Sequence, residues 1–203
     1  MKIICFGRNY AEHAREFDNQ VPDFPIFFLK PDTSIITRNR PFFYPDFSQD
    51  IHYETELVIR INRLGKHIDP GFAHRYYQEL TVGIDFTARD LQKKCKQNGW
   101  PWEIAKGFEG SAPLGRFIDK SQFEDIQQIA FGLEINGETV QSGNTREMIF
   151  SFDHLIAYVS RYFTLKTGDL LFTGTPAGVG PVQIEDRLRA YVEDQVLLDF
   201  RVK

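Results

Sequence analysis

The amino-acid sequence predicts a β-rich α+β fold built as one domain over residues 1–203. Three observations carry that expectation. Short apolar runs of strand length outnumber stretches with helical periodicity. No internal repeat, low-complexity tract or Gly/Ser-rich linker divides the chain. Its 203 residues are 42% hydrophobic and include 19 Phe, enough to bury a substantial core and to argue against disorder.

The elements follow in order. Met1–Phe6 is an apolar run closed by Gly7, and a short helix is expected over Tyr10–Phe17. Pro25–Lys30 carries Ile26, Phe27, Phe28 and Leu29 before Pro31 stops it. Glu54–Ile61 alternates Leu57, Ile59 and Ile61 with Val58 and Arg60, and Glu79–Phe86 carries Leu80, Val82 and Ile84. Ala88–Gln97 reads as a helix ended by Asn98-Gly99. Phe131–Ile135 runs into Asn136-Gly137, a hairpin dipeptide. The clearest helix is Ser151–Phe163, with Ser151 as N-cap and Phe152, Leu155, Ile156, Val159 and Phe163 on one face. Leu170–Thr173 and Val196–Val202 complete the strands.

The formal net charge of -4 leaves no electrostatic footprint for nucleic acid. The run Lys93, Lys94, Lys96 reads as a solvated helix face rather than a binding patch. Cys5 and Cys95 do not make a secreted-type disulfide framework and are taken as reduced thiols. Met1 to Arg8 lacks the apolar stretch of a signal peptide, and no apolar run approaches the ~18 residues of a membrane span. The expectation is a cytoplasmic protein with no membrane partner.

Glu54 and Glu56 stand two apart, so on a strand both side chains take the same face. Carboxylates that close repel unless a positive group separates them, and a hard divalent cation would do so. Asp85, at the end of the next long strand, would add a third oxygen ligand and leave positions for water and substrate. On spacing alone, the polar face of an edge strand explains the pair as well.

The surroundings of that pair resemble the fumarylacetoacetate hydrolase family. The resemblance begins with Gly7-Arg8-Asn9-Tyr10, His13 and Glu16, then Phe28-Leu29-Lys30-Pro31 and His52 to Leu57. It continues through Asp85-Phe86-Thr87-Ala88-Arg89-Asp90, Ala105-Lys106-Gly107-Phe108 and Asn136-Gly137-Glu138. Gly143-Asn144-Thr145, Met148-Ile149-Phe150, and Gly168-Asp169 leading to Thr173 through Gly180 complete it in order. Within the family, the small acylpyruvase and oxaloacetate decarboxylase type is the most similar. One departure is the stretch Phe17 to Pro25, shorter than the family's pattern.

The resemblance implies a mixed β-roll, the family's C-terminal domain type, assembled as a homodimer. It implies one Mg2+ or Mn2+ per subunit on Glu54, Glu56 and Asp85, and a catalytic Lys106. His13 and Glu16 would form a dyad on a short lid helix, and Arg89 and Gln92 would lie near the substrate. A general base suits His13, because a carboxylate three residues along a helix raises and orients an imidazole. Lys106 among Trp100, Trp102, Ile104 and Phe108 suits stabilisation of an enolate. Thr173-Gly174-Thr175-Pro176 lacks the Lys-Ser/Thr ending of a phosphate loop. There Gly174 could let backbone N–H groups approach a substrate carboxylate, with the Thr175 hydroxyl as a further donor.

The implied substrate is a small 2-oxo acid, cleaved at a C–C bond through a metal-bound pyruvate enolate. Acylpyruvate or fumarylpyruvate hydrolysis and oxaloacetate decarboxylation both fit. A 2-hydroxy-dienedioate isomerase or hydratase, an oxaloacetate tautomerase and a non-catalytic binding protein stay open.

Overall fold

The computed structural model describes residues 1–16 and 21–203. In chain order the strands are β1 (Ile3–Gly7), β2 (Ile26–Lys30), β3 (Ile35–Ile36), β4 (Ile51–Tyr53), β5 (Thr55–Ile61), β6 (Tyr77–Ile84), β7 (Thr87–Ala88), β8 (Ala112–Pro113), β9 (Ile118–Asp119), β10 (Ala130–Ile135), β11 (Glu138–Asn144), β12 (Leu170–Phe172), β13 (Gly180–Pro181), β14 (Arg187–Val192) and β15 (Gln195–Arg201). The helices are α1 (Ala11–Glu16), α2 (Arg89–Asn98), α3 (Glu103–Lys106) and α4 (Phe152–Val159).

Among the described residues, a six-stranded sheet runs β2-β1-β12-β5-β6-β9 and a four-stranded sheet runs β11-β10-β14-β15. The first is mixed, because β1 and β12 are parallel while its other pairs are antiparallel. Both faces of its central strands are covered. Ile4, Phe6, Leu57, Ile59 and Leu171 enter one core with Phe131, Leu133, Leu188, Ala190 and Phe200 of the four-stranded sheet. The alternate residues Ile3, Cys5, Val58, Leu170 and Phe172 enter a second cluster with Ala112 and Leu114. Period-2 side chains buried on both faces explain why these strands read as continuous apolar runs.

Two expectations change. The strand expected over Glu54–Ile61 begins at Thr55, because at Glu54 the chain passes from the small β13-β4-β7 sheet into the six-stranded one. The helix expected over Ser151–Phe163 ends at Val159. Its Ser151 cap is present, but the Ser160 hydroxyl donates to the Ala157 carbonyl and accepts from the Ile68 N–H, which turns the chain. No helix among the described residues is long and apolar enough to cross a membrane.

Candidate metal centre

Strand pairing assembles an acidic cluster. In the β5–β6 register Thr55 faces Ile84 and Glu56 faces Gly83. One step further, the Asp85 N–H donates to the Glu54 carbonyl at 2.8 Å. One carboxylate oxygen from each of Glu54, Glu56 and Asp85 lies within 4.8 Å of the others, and all three residues are buried.

Cations close around them. Lys106, the last residue of α3, donates to Glu54 Oε2 and to Asp85 Oδ2, each at 2.7 Å. Its ammonium lies 5.2 Å from the centroid of the Phe28 ring. Arg89 opens α2 and donates to Glu54 Oε1 and to Gln92 Oε1, both at 2.8 Å. Lys30, at the end of β2, is buried with its Nζ 2.8 Å from Asp85 Oδ1. It also donates to Ser111 Oγ at 2.9 Å and to the Lys106 carbonyl, which ties α3 to the sheet. Of the expected apolar surroundings of Lys106, Trp102 lines the same cavity whereas Trp100 and Ile104 are exposed, and Phe28 adds a ring that was not expected.

Glu56 is held by a backbone donor, the Gly174 N–H, at 2.7 Å from Oε2. Gly174 has φ +100, and a Cβ there would stand 2.7 Å from the Asn9 Cβ. Both facts require glycine. Asn9 is buried and fastens this loop, donating to the Thr173 carbonyl at 2.8 Å. The Thr175 hydroxyl accepts from Gln141 Nε2 at 2.7 Å. Gln141 Oε1 in turn accepts from the Thr55 N–H at the sheet-to-sheet crossing.

The electrostatics separate the carboxylates. Burial would raise Glu54, but Lys106, Arg89 and His13 together outweigh it and hold it below the usual range. Burial and the charges of Asp85 and Glu54 push Glu56 well above that range. Burial would lower Lys106, but Asp85 and Glu54 reverse this and raise it. A hard divalent cation suits such a donor set, which offers three carboxylates and relieves the repulsion that raises Glu56. Asp85 Oδ1 fits the same group, being buried beside Lys30 without hydrogen-bond geometry.

The cluster opens into a cavity of about 50 Å³, room for roughly three or four water-sized groups. Glu54, Glu56, Asp85, Lys106, His13, Arg89, Gln92 and Thr175 all line it. Gly174 contributes its N–H to Glu56 instead. His13 lies on α1 and is buried. The Glu16 side chain and residues 17–20, where the dyad carboxylate and the short stretch were expected, lie outside the described residues. Lys30, Asn9 and Gln141 were not singled out as site residues from the sequence. A charged residue ending the apolar run Ile26–Leu29 was the available signal for Lys30. Lys93, Lys94 and Lys96 are all exposed, as expected of a solvated helix face, and Lys96 also lines the cavity.

The chain matches the model described as fumarylacetoacetate (FAA) hydrolase C-terminal over residues 2–203. It is 39% identical over 201 residues to the oxaloacetate tautomerase FAHD1, mitochondrial, of Mus musculus, covering 99% of this chain and 91% of that one. It is 43% identical over 183 residues to the oxaloacetate decarboxylase, mitochondrial, of Dictyostelium discoideum, covering 90% and 84%. Among solved structures it matches fumarylpyruvate hydrolase from Pseudomonas aeruginosa in complex with Mn2+ and pyruvate. That match has a TM-score of 0.94 at 37% identity, covering 100% of this chain and 89% of that one.

Proposed function

Because this chain belongs to the fumarylacetoacetate hydrolase family, we propose that it is a divalent-metal-dependent enzyme cleaving a carbon–carbon bond in a small 2-oxo acid. The reactions are hydrolysis of an acylpyruvate such as fumarylpyruvate and decarboxylation of oxaloacetate. One observation carries this reading: three buried carboxylates and a buried lysine converge on a cavity that His13, Arg89 and Thr175 also line.

Glu54, Glu56 and Asp85 would hold Mg2+ or Mn2+, which when bound supplies Lewis acidity toward the substrate's oxygens. The remaining work falls to the chain's own side chains. Thr175 accepts a hydrogen bond from Gln141, so its own proton is free to point at a substrate carboxylate. Lys106, kept charged by Asp85 and Glu54, faces the negative charge that develops on the 2-oxo oxygen. His13, with Glu16 three residues further along α1, takes a proton from water as it attacks the distal carbonyl. The carbon–carbon bond then breaks, releasing a carboxylic acid and the enolate of pyruvate. Loss of carbon dioxide from oxaloacetate reaches the same enolate without water. Phe28 and Trp102 form apolar walls that limit solvent.

A second reading is oxaloacetate tautomerisation, favoured by the name of the relative that is 39% identical over the full chain. It needs only proton transfer at the carbon beside the 2-oxo group. The test is a panel of fumarylpyruvate, acetylpyruvate and oxaloacetate with Mg2+ and Mn2+, for the wild type and His13→Ala. Hydrolysis is expected to fall on the order of 10²-fold or more in the variant, the scale of a positioned general base. Decarboxylation should fall much less. Equal losses would remove His13 as the water-activating base. Enol–keto exchange without carbon dioxide or carboxylic acid release would favour the second reading.

A further inference from the structure

On β11 burial falls on Gln141 and Gly143, which stand two residues apart and so share one face. That face meets the loop carrying Thr175 and Pro176. A Cβ on Gly143 would stand 2.7 Å from the Pro176 Cγ, so glycine lets the strand close on the loop. Gln141 makes the polar contacts. Its Nε2 donates to the Thr175 Oγ at 2.7 Å and to the Pro176 carbonyl at 2.8 Å, and its Oε1 accepts from the Thr55 N–H at 3.0 Å. Gln141 is buried and does not line the cavity, whereas Thr175 does.

The two backbone partners fix the orientation of this amide. The Thr55 N–H can only donate and the Pro176 carbonyl can only accept, so a flipped amide would set like groups against each other at both ends. Buried backbone groups left unpaired are costly, which holds the amide in this one orientation. Both of its hydrogens are then committed, one to Pro176 and one to Thr175. A threonine hydroxyl ordinarily rotates to suit its neighbours. Here its oxygen is the acceptor toward Gln141, and its own proton must point elsewhere. Thr55 stands between Glu54 and Glu56, so the same amide ties that hydroxyl to the strand bearing two of the three carboxylates.

We propose that Gln141, from behind the cavity wall, is a positioning residue for substrate: its amide holds the Thr175 hydroxyl with the proton turned into the cavity, ready to donate to the carboxylate of a 2-oxo acid. This rests on the proposed function, which gives Thr175 that carboxylate.

A double-mutant cycle separates this from a purely structural role. Pyruvate binding to the Mn2+-loaded protein is measured by calorimetry for the wild type, Thr175→Val, Gln141→Met and the double variant, each first checked by circular dichroism and Mn2+ titration. Thr175→Val should weaken pyruvate by about 10-fold or more, the scale of a hydrogen bond to a charged group. Gln141→Met should weaken it by about 5-fold or more when made in the wild type, but by under about 2-fold when made in Thr175→Val, because its effect passes through the hydroxyl. Thr175→Ser, which keeps the hydroxyl, should retain most of the affinity and the full dependence on Gln141. If Gln141→Met fails to fold or to take up Mn2+, Gln141→Glu replaces it in the same cycle. It keeps the side-chain length and the Thr55 bond but draws the Thr175 proton to itself, and its charge is common to both backgrounds. Equal losses in the two backgrounds, or no loss from the Gln141 change, overturn the positioning role and leave the 2-oxo acid reading standing. If Thr175→Val binds pyruvate as the wild type does, Thr175 leaves the site and the role of Gln141 goes with it. If the wild type binds no pyruvate, the 2-oxo acid reading itself falls.

Discussion

On the four-stranded sheet, Arg187 meets Asp199 at 2.6 Å with the two side chains 50% and 30% exposed. Beside it Arg189 meets Glu134 at 3.1 Å. Where β5 begins and β6 ends, Lys106 meets Asp85 at 2.7 Å with exposures of 3% and 1%. The chemistry of the pairs is the same, and only the solvent differs. In water such a pair contributes up to about 1 kcal/mol and is screened by salt. Buried, each ion carries a desolvation penalty of several kcal/mol, recovered only while its partners stay in place. Three carboxylates with Lys30, Lys106 and Arg89 in one buried patch are therefore a poor way to gain stability, and their retention points to chemistry.

The sharpest way to break this contrast is Asp85→Ala. It takes the carboxylate partner from buried Lys30 and leaves Lys106 with Glu54 alone, and should lower the unfolding free energy by about 3–5 kcal/mol in denaturant titration. A loss under 1 kcal/mol would mean the buried pairs behave like the surface ones.

A pH series on chelator-treated protein sharpens it further. The Glu56 carboxyl is raised in the folded state by burial and by Asp85 and Glu54. Above the unfolded value near ~4.3, the native protein then holds a proton that the unfolded chain has released, so stability falls as pH rises, by up to about 1.4 kcal/mol per pH unit. Glu54 shifts the opposite way, and its contribution is lost only as pH falls below the ordinary carboxylate range. Melting temperature without metal should therefore decline as pH rises above the ordinary carboxylate range, and Mn2+ should remove the decline. A flat profile without metal would contradict the crowding of the three carboxylates.

The smallest effect is expected on the other sheet. Glu134→Gln removes one carboxylate partner of Arg189, which keeps Asp199 at 3.9 Å, and should change stability by less than about 1 kcal/mol. A larger change would show that the four-stranded sheet depends on its charges as well.

The two regions also differ in how far sequence alone exposed them. Leu57, Ile59 and Ile61 announced a core strand because burial on both faces leaves few polar interruptions. The strand Arg187–Val192 went unread, although Leu188, Ala190 and Val192 alternate inward between exposed or half-buried residues. The separation of Glu54 and Glu56 was visible, but their meeting with Asp85 depends on the β5–β6 register, which no local pattern sets. Resemblance supplied Lys106 and Thr175. Lys30 and Gln141 stayed hidden because their roles are long-range hydrogen bonds, from β2 to Ser111 and from β11 to Thr175. The run Lys93, Lys94, Lys96 looked uniform by composition, and only the helix face shared with Arg89 and Gln92 separates its third member.

If Glu54, Glu56 and Asp85 hold a metal ion, Glu56→Gln should weaken its binding without disturbing the fold. The amide oxygen can still accept from the Gly174 N–H, so the fold is kept while one charge is lost. Calorimetric titration with Mn2+ should give one site per chain in the wild type. In the variant, affinity should fall by at least the order of 10²-fold, beyond the usual loss of an outer-shell partner, with the circular dichroism spectrum unchanged. Turnover of oxaloacetate or fumarylpyruvate should fall in step with Mn2+ affinity. Equal Mn2+ affinity in the two proteins would contradict the assignment.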